Sequence, residues 1–255
     1  MNTRVKIRYF LEDHLPFRLQ WISKLVVVEP RHWPKILSAL DYSSMFRRDK
    51  ETANINNEIV GGLILRLYGP NILKVVLEAG DALGMRLFLT YGTLLGHLRD
   101  KGFIPHDWDI DIGVLEADLS KMKLLMRAVE QKGYPVARES RHRMAFRDPM
   151  NLIHLDIDYF FPQGDTFIHH VFNVGWAELY TYSYPARMLS DFVTVQFLGS
   201  IPALIPVDAE GFLAEVYGDW RTPRKGLGAT DFPNAVITKV DPASAAEYMS
   251  FPLPK

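Results

Sequence analysis

Cysteine is absent from the 255-residue chain, which excludes disulfides, zinc–thiolate centres and thiol nucleophiles. Charge of one dominant sign is absent too. The formal net charge is −1, so nothing marks a global polyanion binder, and no nucleic-acid partner is expected. No uninterrupted apolar run approaches the roughly 20 residues of a membrane span. The N-terminal stretch MNTRVKIRYFLEDHLPF lacks the apolar core of a secretory signal, so the expected location is the cytoplasm. Internal repeats and low-complexity tracts are also lacking. What remains is an ordinary globular composition, 48% hydrophobic and 23% charged, enough for one large domain or a domain with a small appendage.

The most informative stretch is Tyr91–Val114, YGTLLGHLRDKGFIPHDWDIDIGV. Asp107, Asp109 and Asp111 stand at alternate positions, and Asp109-Ile110-Asp111-Ile112 reads as the start of a strand. Residues two apart in a strand share a face. Carboxylates side by side on one face repel, and a divalent cation offsets that cost. Hard oxygen donors of this kind suit Mg²⁺ or Mn²⁺. Acidic residues at a strand edge also often just face water. Here the flanks Phe103, Ile104, Ile110, Ile112 and Val114 are strongly apolar, which places the strand in a core. A calcium-loop reading starting at Asp107 fails, because an EF-hand needs Gly sixth and Glu twelfth and those positions hold Ile112 and Asp118.

Just upstream, the apolar run Met85–Thr90 reads as a strand that meets the turn Tyr91-Gly92-Thr93 and then a short helix. Strand, glycine turn and helix together present backbone N–H groups to phosphate, and Gly92 permits close approach. Arg99 and Lys101 flank the passage into the acidic strand and are candidates to hold a diphosphate, although each taken alone reads as a solvated charge. Further on, Leu152–Phe161 (LIHLDIDYFF) reads as a strand with Asp156 and Asp158 on one face. A carboxylate in so apolar a run must be paired, hydrogen-bonded or metal-bound.

The Tyr91–Val114 stretch resembles the signature of the LicD/fukutin family, a branch of the nucleotidyltransferase-fold superfamily. The match is dense over those residues and continues more weakly through HLDIDYFFPQG (His154–Gly164) to EVYGDWRTP (Glu215–Pro223). The resemblance implies an α/β (α+β) fold, a nucleotidyltransferase-like mixed β-sheet flanked by helices. It also implies a transferase using a CDP-linked donor, such as CDP-choline or a CDP-alditol. The acceptor would be a hydroxyl on a glycan or glycolipid, with CMP leaving. Asp109, Asp111 and Asp156 would be the catalytic, metal-holding carboxylates. Tyr91, Gly92, Thr93, Arg99, Lys101, Asp107 and Asp158 would serve the substrate and its phosphates. Asp158 departs from the family pattern, which favours a large hydrophobic residue there, and reads as either a substitute ligand or an edge charge. Two other readings stand beside this one: a nucleotidyltransferase that acts on an NTP and releases pyrophosphate, and a non-catalytic nucleotide- or glycan-binding module. Family acceptors are often lipid-linked, which leaves peripheral membrane contact open. Oligomeric state is not legible.

Three parts are expected: an N-terminal extension over 1–57 packed on the core, a catalytic domain over 58–225, and a loose tail over 226–255. Within them, VKIRYF alternates as a strand does. Ile59–Tyr68 and Pro70–Leu83 read as two segments separated at Gly69-Pro70. Asp118–Lys132 reads as an amphipathic helix burying Leu119, Met122, Leu125, Met126 and Val129. Tyr134–Arg138 and Arg143–Arg147 read as a hairpin whose Arg143 and Arg147 either face an anionic substrate or, the favoured reading, face water. His169 and His170 read as structural, Asp208 as the N-cap of a helix over Ala209–Tyr217, and Trp220 as either packed in the core, the favoured reading, or stacked on a base.

Overall fold

The computed structural model describes residues 3–15, 19–40, 50–173, 178–224 and 232–240. Four helices come first: α1 (Thr3–His14), α2 (Trp21–Leu25), α3 (Trp33–Ala39) and α4 (Lys50–Ala82). Then follow β1 (Leu87–Leu89), α5 (Tyr91–Leu95) with a π-helical turn over Gly96–Asp100, and β2 (Asp109–Leu115). A 3-10 turn over Glu116–Lys121 leads into α6 (Met122–Gln131). The strands β3 (Val136–Glu139), β4 (Arg143–Arg147), β5 (His154–Gln163), β6 (Thr166–Asn173) and β7 (Glu178–Pro185) come next. The chain closes with β8 (Phe192–Phe197), β9 (Ile201–Pro206), α7 (Ala209–Tyr217) and β10 (Ala235–Lys239).

The strands form one mixed sheet in the order β10-β7-β6-β5-β2-β1-β9-β8, with the β3–β4 hairpin also joined to β5. The long strand β5 explains this branching. Residues 154–160 pair in parallel with β2 and residues 154–158 antiparallel with β4, while Phe161–Gln163 pairs with β6. Helix α4 packs on β1, β2, β9 and α6, whereas α5 lies against β2 and α7. This is the α/β class expected from the sequence, a mixed sheet flanked by helices.

The first eighty residues depart most from expectation. VKIRYF is helical, within α1, and its buried residues are Val5 and Arg8. Arg8 pairs with Glu12 one turn later at 3.1 Å and also donates to the Asn151 carbonyl. An i,i+4 pair of this kind exists on a helix and not on a strand. Residues 59–83 hold one helix rather than two segments, since α4 runs through Pro70. An interior proline costs a helix about 3 kcal/mol. That is offset because both halves bury apolar side chains, Val60, Ile64 and Leu65 before it and Ile72, Leu73 and Val76 after it.

Continuity has a second consequence. Ile55–Ala82 is, by length and composition, apolar enough to cross a membrane, although the sequence read in pieces shows no such run. In this fold 56% of its most apolar window is buried inside the protein, so it serves as a core helix against the sheet. At the other end, part of the stretch expected to be a loose tail is a strand. β10 pairs antiparallel with β7 over Ala235–Lys239, while 225–231 and 241–255 lie outside the described residues.

Elsewhere local chemistry and structure agree. The Asp208 side chain accepts from the Gly211 N–H at the start of α7, as an N-cap should. Met122, Leu125 and Val129 are fully buried on α6, while Met126 is only partly so.

Candidate active site

The carboxylates converge because two parallel strands are in register. Asp111 of β2 pairs with Asp156 of β5, and Asp109 pairs with His154. The intervening Ile110 and Ile112 are fully buried, so the alternation of β2 holds its acidic residues on the opposite face. One carboxylate oxygen from each of Asp109, Asp111 and Asp156 lies within 4.8 Å of the others. Oxygen ligands sit about 2.0–2.6 Å from a hard divalent cation, so the three can share one ion.

The loop carrying Asp107 is seated on α4 by a missing side chain. A Cβ at Gly62 would lie 1.8 Å from the Pro105 carbonyl oxygen. The same carbonyl accepts from Arg66 Nη1 at 3.0 Å. Glycine at position 62 therefore lets the loop touch the helix, which sets where Asp107 and Trp108 stand.

The turn at Tyr91 joins β1 to α5 in a strained form, with Tyr91 at φ 40°. Such strain at a non-glycine residue persists where surrounding contacts over-determine it. Here the Tyr91 hydroxyl meets that of Tyr184 at 2.8 Å in the core. Gly92 donates its N–H to Asp111 Oδ2 at 3.2 Å. A Cβ at Gly92 would lie 2.7 Å from Asp107 Oδ2 and 3.3 Å from Asp111 Oδ2. Thr93 is buried, and its Oγ1 accepts the Asp111 N–H at 2.9 Å.

Tyr91 and Gly92 border the cavity in front of the carboxylates, while the polar groups of the turn are already engaged. The Tyr91 and Thr93 hydroxyls face the core and the β2 backbone, and the Gly92 N–H aims at a carboxylate. The glycine elbow therefore positions Asp111. Lys101 is likewise engaged. It adopts a left-handed backbone that closes the π-helical turn, and its ammonium donates to the Leu98 carbonyl at 3.0 Å. Arg99 lines the cavity in front of the carboxylates but is held by Asp100 at 3.0 Å.

Asp158 is neither a ligand of the three-carboxylate group nor an edge charge. It is wholly buried, and Arg143 binds it through Nε while binding Asp156 through Nη1 at 3.0 Å. The expectation that Arg143 faces water is thus overturned. In the antiparallel register Arg143 lies opposite Asp158, so the pair was legible only with the strand pairing known. His169, expected to be structural, is fully buried with Nε2 3.4 Å from Asp158 Oδ1. Burial, then Arg143, holds its pKa well below the ordinary value and keeps it neutral.

Arg143 is therefore a positive charge set among four carboxylates, Asp109, Asp111, Asp156 and Asp158. Burial works to lower its pKa, but Asp158, Asp156 and Asp111 together raise it. Burial raises Asp156, against the opposing pull of Arg143. Asp111 is pushed well up by burial and then by Asp109. Asp107 is pushed up to about 8 by burial and then by the neighbouring charge of Asp109. This excess of buried negative charge and the all-oxygen donor set fit a divalent cation held by Asp109, Asp111 and Asp156.

Two cavities open onto this cluster. The larger, about 600 Å³, contains Asp107, Asp109 and Asp111 and is walled by Tyr182, Tyr217, Trp220 and Phe232, with Arg99, Arg143 and Arg224 as cations and His106 beside them. Trp220 is buried, as expected, and it also lines this cavity. The second, about 460 Å³, contains Asp109 and Asp156. Trp108, 65% exposed, borders both. Neither Trp108 nor the aromatic wall carries a periodic signal, because its members come from segments far apart in the chain.

Residues 84–204 match the family described as LicD/FKTN/FKRP, nucleotidyltransferase domain. Among curated proteins, the chain is 25% identical over 183 residues to the ribitol-5-phosphate transferase FKTN of Mus musculus. It is 27% identical over 198 residues to the ribitol 5-phosphate transferase FKRP of Homo sapiens. These alignments cover 67% and 68% of this chain but 37% and 38% of the two relatives. An uncharacterized protein of Rickettsia prowazekii (strain Madrid E) is 27% identical, over 64% of this chain and 58% of its own length. The chain thus spans well under two thirds of the relatives it matches. Among solved structures, the antibiotic-resistance factor ANT(2'')-Ia aligns with a TM-score of 0.36 and 13% identity, over 63% of this chain and 76% of that one.

Proposed function

We propose, on the premise that this chain belongs to the LicD/FKTN/FKRP nucleotidyltransferase family, that it transfers an alditol phosphate or a similar phospho-headgroup. The donor is CDP-linked, the acceptor is a hydroxyl of a sugar or polyol on a glycan or glycolipid, and CMP is released. The observation that carries this reading is the grouping of Asp109, Asp111 and Asp156 between two cavities that share Asp109. One cavity is available for each substrate.

The donor belongs in the larger cavity. Its aromatic wall suits a base and ribose, and Arg99, His106 and Arg224 suit a diphosphate. The acceptor oxygen attacks the phosphorus that bears the headgroup, in line with the bond to CMP. A new P–O bond forms, the bond to CMP breaks, and the hydroxyl proton leaves to a base. Asp156 is the base, since it both lines the second cavity and belongs to the carboxylate group. Arg143 fixes the Asp156 carboxyl orientation through the 3.0 Å contact. A divalent ion, Mg²⁺ or Mn²⁺, held by Asp109, Asp111 and Asp156 would neutralise charge on the transferring phosphoryl group. Positioning and charge neutralisation supply most of the catalysis in such transfers.

The test is a Mg²⁺-dependent thermal-shift screen of the full chain against CDP-ribitol, CDP-glycerol, CDP-choline and NTPs, followed by product analysis. A CDP-linked compound should stabilise the protein, and turnover should release CMP. Pyrophosphate release from an NTP would overturn the reading in favour of nucleotidyl transfer. Absence of any Mg²⁺-dependent response to CDP compounds would overturn it in favour of a non-catalytic module.

A further inference from the structure

The second cavity has an unusual wall. Lys24 of α2 and both Arg8 and Glu12 of α1 enter it from the N-terminal helices, Arg138 enters from β3, and Asp109, His154 and Asp156 line it as well. The residues matched to the family begin at 84, so Lys24 and Arg8 lie outside the match. Arg8 is committed to Glu12 and to the Asn151 carbonyl. Lys24 differs: among the described residues no hydrogen bond or ion pair engages its ammonium. Arg138 is exposed and makes no hydrogen bond or ion pair among the described residues, although its charge acts on Asp156 and Asp158.

An ammonium held out of bulk water without a counter-charge is destabilising. Burial and the nearby Arg8 lower the Lys24 pKa, while Glu12 pulls it back up. Glu12, the carboxylate beside it in the same chamber, is already paired with Arg8 at 3.1 Å. Lys24 and Arg138 face an open chamber that ends at the proposed base.

We propose that this chamber is the acceptor site and selects an acceptor carrying an anionic group, a phosphate or a carboxylate, which Lys24 and Arg138 bind. The acceptor hydroxyl then points to Asp156 at the other end. The N-terminal helices thereby set acceptor choice, while the Asp109/Asp111/Asp156 group sets the reaction. Trp108, which borders both cavities, forms the partition along which the two substrates meet. This deepens the transferase reading and rests on it for the word acceptor, but the binding it asserts stands independently.

Calorimetric titration of the full chain with ribitol, ribitol 5-phosphate and ribonate, in Mg²⁺, tests the chamber without turnover. An anionic polyol should bind at least tenfold tighter than ribitol, and the stronger of the two anions identifies phosphate or carboxylate as the group. Lys24→Gln should remove most of that preference, Lys24→Arg should keep it, and Arg138→Gln should weaken it. The affinity for a CDP compound should not change in any of the three. Lys24→Gln should leave the unfolding midpoint unchanged or raise it, because it removes an unpartnered charge; if it fails to fold, the exposed Arg138→Gln decides alone. Equal binding of all three polyols, or an anion preference untouched by Lys24→Gln and Arg138→Gln, overturns the proposal. If the anion preference appears but CDP compounds fail to bind, the transferase reading falls and the anion chamber stands.

Discussion

Arg143 joins Asp156 to Asp158 across the β4–β5 pair, with Nη1 3.0 Å from Asp156 and Nε on Asp158. One guanidinium thus orients a carboxylate of the candidate metal group and neutralises another buried behind it. Both links depend on the planar fork, which a lysine cannot reproduce.

Replacing Arg143 should therefore damage both stability and chemistry. Arg143→Met leaves Asp158 buried and unpaired, and breaking such a pair costs about 3–5 kcal/mol. Urea unfolding should show that loss, and adding Asp158→Asn should restore part of it. Arg143→Lys should fold better than Arg143→Met yet transfer poorly. Equal stability of Arg143→Met and the parent would show that the pair is not structural.

The three carboxylates should separate cleanly from the scaffold. Asp109→Asn, Asp111→Asn and Asp156→Asn should each lower CMP release by about 10³-fold or more. In the absence of metal each should hold or raise the unfolding midpoint, because each removes like-charge repulsion. A drop in activity of less than tenfold for Asp156→Asn would remove it as the base.

The acid cluster makes stability depend on pH in a direction that can be worked out. Burial raises Asp107 to about 8, and Asp109 and Asp111 are raised by burial as well. A carboxyl whose folded pKa exceeds its unfolded value of about 4 binds more protons when folded. Its contribution is complete below the unfolded pKa and is lost as pH rises through the folded one. Metal-free protein should thus lose stability between about pH 4 and 8. Mg²⁺ or Mn²⁺ competes with those protons, so its stabilising effect should be larger at pH 8 than at pH 5. Calorimetric melting in each ion at the two pH values measures this.

Gly92→Ala probes the elbow. Its Cβ would press on Asp107 at 2.7 Å and Asp111 at 3.3 Å, moving carboxylates without touching the core. Metal affinity should fall about 10–100-fold, as for other changes that disturb the groups orienting a ligand, with little change in the unfolding midpoint.

Gly62→Ala probes the seat of the same loop. Its Cβ would meet the Pro105 carbonyl at 1.8 Å, backbone against backbone, so relief requires the loop to lift off α4. Forced overpacking of this kind costs about 1–3 kcal/mol or more. Transfer should fall with it, since Asp107 and Trp108 move with the loop.

Local chemistry written into single stretches was legible without a structure. The alternation of β2 put Asp109 and Asp111 on one face, the apolar run of β5 marked Asp156 as needing a partner, and Asp208 announced α7. Such features depend on neighbours a few residues away, and a period of two or of 3.6 exposes them. Only tertiary structure decided that Asp111 sits opposite Asp156, that Arg143 turns inward to Asp158, and that Lys24 faces a chamber whose other residues come in large part from strands far from it in sequence. It also decided that α4 runs through Pro70. Each of these outcomes turns on burial and strand register, where a free-energy gain from distant packing outweighs the local preference of the chain.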